Sequence, residues 1–189
     1  MEPFLRLEAV AMPLPRANVD TDQIVPARFL KKPRSDNFGD YLFHDLRADP
    51  AFVLNQPVYK EARIVVAGRN FACGSSREHA VWALADGGFR AAIAPSFGDI
   101  FASSALKNGF LPVVLPEDVV QEILAALATT PGTRLTVDLE AQTVIAPGGT
   151  HSFEIAPFAK KCLIEGLDEI GYTLGQIERV TAFERQYQP

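Results

Sequence analysis

Apolar positions along the 189 residues fall into two regimes. Between residues 63 and 127, short uninterrupted apolar runs alternate with stretches of helical period. IVVA at 64–67, FRAAIAPS at 89–96 and LPVVL at 111–115 read as buried strands. Between them, helices are expected from Ser75 to a stop at Gly87-Gly88, and over 97–108 with Gly109 as the stop. A third helix, EDVVQEILAAL, opens at Pro116 with acidic residues at its positive end. Strands alternating with helices predict βαβ units and a largely parallel sheet. Beyond residue 133 the runs shorten. Strands are expected at Arg134–Asp138, Thr143–Ala146 and 151–155, antiparallel and linked by Glu140-Ala141 and Pro147-Gly148-Gly149. Helices over Pro157–Glu165 and 174–186, punctuated by Gly166 and Gly171, close the chain. At the other end, FLRLEAV (4–10) alternates as a strand that Pro13 and Pro15 should end. FGDYLFHDLR (38–47) suits an amphipathic helix packed through Tyr41, Leu42 and Leu46, and 50–59 reads as connection. The expectation is one α/β domain spanning 1–189, with a mixed sheet.

Composition narrows the function. A net charge of −5, a pI near 5.2 and no basic stripe argue against a nucleic-acid partner. The start, MEPFLRLEAV, lacks the basic and apolar regions of a signal peptide, and no apolar run reaches membrane-spanning length. The only two cysteines, Cys73 and Cys162, are far apart, which fits a reducing cytoplasm rather than a disulfide scaffold. An iron–sulfur cluster needs three or four thiolates. The three histidines, His44, His79 and His151, show no zinc-type spacing with the cysteines. No metal site is therefore expected in this chain.

The most informative stretch is RIVVAGRNFACGSSREHAVWAL, residues 63–84. A buried strand, a loop bounded by Gly68 and Gly74, and a helix start would aim free backbone N–H groups at an anion. Ser75 and Glu78 stand in the S-x-x-E relation of a capping box. The first turn would carry two hydroxyls and a guanidinium, from Ser75, Ser76 and Arg77. A phosphate-binding P-loop is excluded by the five residues between the glycines and the missing lysine. A nucleophile elbow is excluded by Cys73 and Arg77, which stand where its glycines belong. Several readings survive: a simple capped turn, an anion-binding subunit that needs only the helix start and Arg77, a hydrolase using Cys73 or Ser75 with His79, and a proton-abstracting site.

The run GSSREHA (74–80) resembles the active-site loop of the swivelling β/β/α domain of the aconitase superfamily, and NVDTDQI (18–24) resembles that domain's N-terminal signature. With FGDYLFHDLR, FVLNQPVY (52–59) and APSFGDIF (94–101) following in order, nearly the whole chain is similar to the 3-isopropylmalate dehydratase small-subunit family. The segment FASSALKNG (101–109) departs from that family's bulkier, more polar pattern. The resemblance implies a hydro-lyase that isomerises 2-isopropylmalate and 3-isopropylmalate in leucine biosynthesis. It also implies a heteromer whose large subunit carries a [4Fe-4S] cluster, with none in this chain. Related homoaconitate, citramalate and dimethylmalate enzymes have similar small subunits. By motif position, Ser75 is the base and Asp22 belongs to the active site, while Ser76, Arg77 and Gly74 bind a small dicarboxylate. Glu78 and His79 act as scaffold, and Cys73 packs the loop. A loop containing Phe29, Lys31, Arg34, Tyr41 and Leu42 selects the substrate side chain. The basic loop RFLKKPR (28–34) lacks a clear match to the arginine of tricarboxylate-handling relatives, which favours a dicarboxylate with an apolar side chain.

Overall fold

The computed structural model describes residues 1–35, 37–74 and 78–187. In chain order they form β1 (Arg6–Leu14), α1 (Thr21–Ile24), a run of single 3-10 turns, and then β2 (Ala62–Ala67), α2 (Glu78–Asp86), β3 (Ala91–Ala94), α3 (Asp99–Lys107), β4 (Leu111–Val114) and α4 (Glu117–Thr129). After these come β5 (Arg134–Asp138), β6 (Thr143–Ala146), β7 (Gly149–Ser152), α5 (Pro157–Glu165), α6 (Glu169–Leu174) and α7 (Ile177–Gln186).

The seven strands make one sheet ordered β4-β3-β2-β1-β5-β6-β7. β1 is its pivot, pairing in parallel with β2 and antiparallel with β5. The β1–β4 half is parallel and the β5–β7 half antiparallel, so the expected mixed α/β sheet is what forms. The apolar run of β2 is continuous because both faces are covered. Val65 and Ala67 join one core with Met12, Leu14 and the α2 residues Val81 and Leu84. Ile64 and Val66 join the other, beneath Val120, Ile123 and Leu127 of α4. Each fully buried Val, Ile or Leu contributes about 1.5–3 kcal/mol.

Four local expectations are corrected. β1 runs through Pro13 to Leu14 rather than ending before it. β5 pairs only as far as Val10, and the Ala11 N–H donates to Thr133 beyond the end of that ladder. Alternation turns the Pro13 nitrogen to that same, vacated side, so no ladder bond is lost. Residues 38–47 are not an amphipathic α-helix but two 3-10 turns, Phe38–Tyr41 and Leu46–Ala48. Leu42 is extended and Phe43 is left-handed (φ 50°), its N–H donating to the Ile24 carbonyl, so the helical path is broken between the turns. The last strand lies at Gly149–Ser152, two residues earlier than expected at its start. The helical tail is three helices rather than two. Gly166, left-handed at φ 68°, ends α5, and Asp168 caps α6 through the Gly171 N–H.

Candidate active site

Three loops leave the carboxyl ends of the parallel strands β1, β2 and β3, the edge where open α/β sheets bind ligands. They are stitched together by backbone. The Asn18 N–H donates to the Arg69 carbonyl (2.9 Å), the Cys73 N–H to Val19 (3.2 Å) and the Thr21 N–H to Cys73 (3.0 Å). On the other side, the Phe71 N–H donates to Ser96 (3.0 Å) and the Gly98 N–H to Phe71 (2.9 Å). Two side-chain hydrogen bonds add to the seam: Asn70 Nδ2 donates to Asn18 Oδ1 (2.8 Å), and Ser96 Oγ accepts from the Asn70 N–H (2.8 Å).

This packing demands unusual backbone. Asn18, Asn70, Ala72 and Gly74 are all left-handed, with φ of 55°, 57°, 57° and 91°. Asparagine and glycine accept that region readily, but alanine does so at roughly 1–2 kcal/mol. Ala72 holds it between two residues that are each tied to a neighbouring loop. Gly68 and Gly98 permit the close approach. A Cβ on Gly68 would lie 2.6 Å from the Arg16 carbonyl oxygen, and one on Gly98 would lie 2.5 Å from that of Ala72. Between the second and third loops lies an open cleft of about 300 Å³, lined by Asn70, Cys73, Gly74, Phe97 and Asp99 among others.

The expected site residues divide. Ser75, Ser76 and Arg77, and with them the expected capping box, lie outside the described residues. Their flanks are described. Gly74 is exposed on the cleft, and a Cβ there would face Asp20 and Thr21 at 3.6 and 3.9 Å. Asp20 caps α1 through a reciprocal box with Gln23. Asp22, on the same turn, is exposed, and its carboxylate accepts from the Ala27 N–H (3.1 Å). The structure thus brings Asp22 and Gly74 to the same loop cluster. Further along the chain, Glu78 opens α2 and accepts from Asn108 Nδ2 (2.9 Å). The His79 ring packs on Phe38 (5.3 Å) and Trp82 (4.7 Å).

The proposed selecting loop is partly gathered here. Phe29 stacks on Tyr41 at 4.4 Å, and Tyr41 meets Phe38 edge-on, which links the loop to His79 in the first turn of α2. Lys31 is exposed. Arg34 points elsewhere. Its guanidinium grips Asp86 with two bonds (2.9 and 3.1 Å) and lies over the Trp82 ring, near the far end of α2. Leu42 is buried, its side chain filling the space above Gly87. Arg28 and Asp45 brace the loop as a forked ion pair beside His44. The Arg28 hydrogen bond holds the Asp45 carboxyl down at about 2, so the pair stays ionised as pH falls through the ordinary carboxylate range and is lost only near that value.

The donor set of this chain does not fit an iron–sulfur cluster. Cys73 borders the cleft, whereas Cys162 is buried on α5 in a groove with Met1 and Leu106, and burial pushes its thiol up. Two separated thiols fall short of the three or four required. Among the described residues no group of three or more His, Cys, Asp or Glu is placed to hold a metal ion. Nor is any described helix long and apolar enough to cross a membrane.

Residues 1–118 match the aconitase C-terminal domain model, and residues 121–157 the LeuD_N model. Together with the loop cluster at the carboxyl ends of β1–β3, this defines the class as an aconitase-type C-terminal domain. A crystal structure of 3-isopropylmalate dehydratase from Methanocaldococcus jannaschii superposes with a TM-score of 0.70 at 25% identity, over 95% of this chain and 99% of that one. The 3-isopropylmalate dehydratase small subunit of Acidobacterium capsulatum is 52% identical over 99% of this chain and 91% of its own length. That of Rubrobacter xylanophilus is 50% identical over 98% and 95%. The chain belongs to the 3-isopropylmalate dehydratase small-subunit family, lyases of the aconitase superfamily.

Proposed function

We propose that this chain acts as one swivelling domain, the small subunit of a cytoplasmic heteromeric hydro-lyase that interconverts 2-isopropylmalate and 3-isopropylmalate in leucine biosynthesis. The observation that carries the proposal is the stitching of the three loops around Gly74, the first of the GSSREHA positions that the family resemblance assigns to chemistry. The iron–sulfur cluster would belong to the large subunit, where its iron supplies Lewis acidity.

This chain's part is proton transfer and substrate binding. Ser75 removes the proton beside a carboxylate, the C–H electron pair becomes the double bond, and hydroxide departs from the neighbouring carbon. Water then adds back with the opposite regiochemistry. Serine is a poor base unless its alkoxide is stabilised, and a helix start beside Arg77 supplies that stabilisation. Ser76 and the Gly74 backbone bind substrate, Arg77 clamps a carboxylate with its planar fork, and Asp22 completes the site from the first loop. The packing of His79 against Phe38 and Trp82 supports a scaffold role rather than that of a hydrolase base.

The purified chain is expected to be colourless and inactive alone, and to gain isomerase turnover when a cluster-bearing large subunit is added. Visible cluster absorbance or turnover without the partner contradicts the proposal. Side-chain preference is assigned to the loop 29–43, with Phe29, Lys31 and Tyr41 nearest the substrate, Leu42 supporting them from the core, and Arg34 anchoring the loop to α2. Exchanging this loop for that of a homoaconitate-type relative should shift the ratio of kcat/KM on the two substrates by about tenfold or more, since one methylene alone is worth roughly 1–3 kcal/mol. An unchanged ratio rules the loop out as selector.

A further inference from the structure

Asn108 is the residue after α3, and its side chain is fully committed. Nδ2 donates to Glu78 Oε1 (2.9 Å) and to the Ser104 carbonyl (2.9 Å), while Oδ1 accepts from Trp82 Nε1 (3.3 Å). Two acceptors and one donor admit only this orientation of the carboxamide. Glu78 and Trp82 are four apart, so they lie on one face of α2. The Ser104 bond anchors Asn108 to its own helix. Three bonds from one side chain thus fix α2 against the end of α3. Two of the groups held are special to the site: Glu78 directly follows Arg77, and Trp82 carries the His79 ring and the Arg34 guanidinium.

We propose that Asn108 is a positioning residue for the reaction. By holding the Glu78 carboxylate, it fixes in place the residue that directly follows Ser75, Ser76 and Arg77 in the chain. The inference rests on the assignment of chemistry to those three residues and extends it to the residue that ends a different helix, 30 positions from Glu78. A neutral amide suits the task. It fixes the carboxylate by hydrogen bonding without cancelling its charge, which favours a helix start, and it adds no cation to compete with Arg77 for the substrate's carboxylates. Displacements of about 1 Å at a reacting group can cost about 10²-fold in rate, so a loosened first turn should register in turnover.

The test is a swap of the bonded pair in the enzyme reconstituted with its large subunit. Asn108→Asp keeps the shape and the acceptor for Trp82 but sets a carboxylate against Glu78 and against the Ser104 carbonyl, of which a further Glu78→Gln change relieves only the first. It should lower kcat/KM by about 10- to 100-fold. Adding Glu78→Gln restores one amide and one carboxylate with donor and acceptor reversed, and should recover about tenfold of the loss. Asn108→Ala provides a second route should the aspartate variant fold poorly, with a loss of similar size that Glu78→Gln does not relieve. Melting temperatures are measured alongside, and kcat/KM is expressed per folded molecule. Wild-type kcat/KM in both single Asn108 variants, with effects confined to melting temperature, overturns the proposal, as does a swap with no recovery. Ser75→Ala is run in parallel to separate the two levels. If it lowers turnover while the Asn108 variants do not, only the positioning role falls; if it leaves turnover intact, the assignment of chemistry to the loop falls and the positioning role falls with it.

Discussion

In the reconstituted enzyme, Ser75→Ala is expected to lower turnover by at least ~10²-fold, the usual contribution of a general base. KM should change little, because the lost interaction belongs to the transition state. A serine that merely caps a helix behaves otherwise. Its removal costs about 0.5–2 kcal/mol of stability and leaves turnover per folded molecule nearly intact. The two roles therefore separate when melting temperature and kcat are measured on the same preparation. The loop cluster around Gly74 makes the catalytic outcome the expected one, since five backbone hydrogen bonds between the loops after β1, β2 and β3 hold the residues just before Ser75.

Arg77→Lys is expected to lower kcat/KM by about 10²-fold, through both KM and kcat. Lysine keeps the positive charge but presents a point charge in place of a planar fork, so bidentate grip on a carboxylate is lost. Steady-state kinetics on the dicarboxylate measure both components. A variant that retains wild-type KM shows that Arg77 does not touch the substrate.

Much of this architecture is written locally in the chain. The buried run of β2 and the Pro116-opened α4 follow from period, composition and punctuation alone, and each sits where those signals put it. The departures arise where a distant partner overrides a local preference. Pro13 is tolerated in β1 because β5 has stopped pairing there, a fact about a strand more than 120 positions later. Residues 38–47 carry a helical pattern, yet Phe43 is captured by the Ile24 carbonyl and turns left-handed.

The site divides in the same way. Asn18, Gly68 and Gly74 are visible as turn-forming residues in motifs, and the structure uses them at the loop seam. The pairing of Arg34 with Asp86, and that of Asn108 with Glu78, join positions 52 and 30 apart that carry no spacing signal. Nothing in the run RFLKKPR distinguishes an arginine turned toward a helix from one turned toward a substrate. Asn108 reads as an ordinary helix terminus before Gly109, and only its three hydrogen bonds reveal what it holds.

This chain, and not its larger partner, is expected to supply the base. Exchange of the substrate's α-proton with solvent, followed before the first turnover is complete, isolates proton transfer from hydroxide departure and product release. The reconstituted wild-type enzyme should exchange that proton at a rate sufficient to support turnover, and Ser75→Ala should slow the exchange by at least ~10²-fold. Exchange at the wild-type rate in Ser75→Ala would contradict the account and assign the base elsewhere.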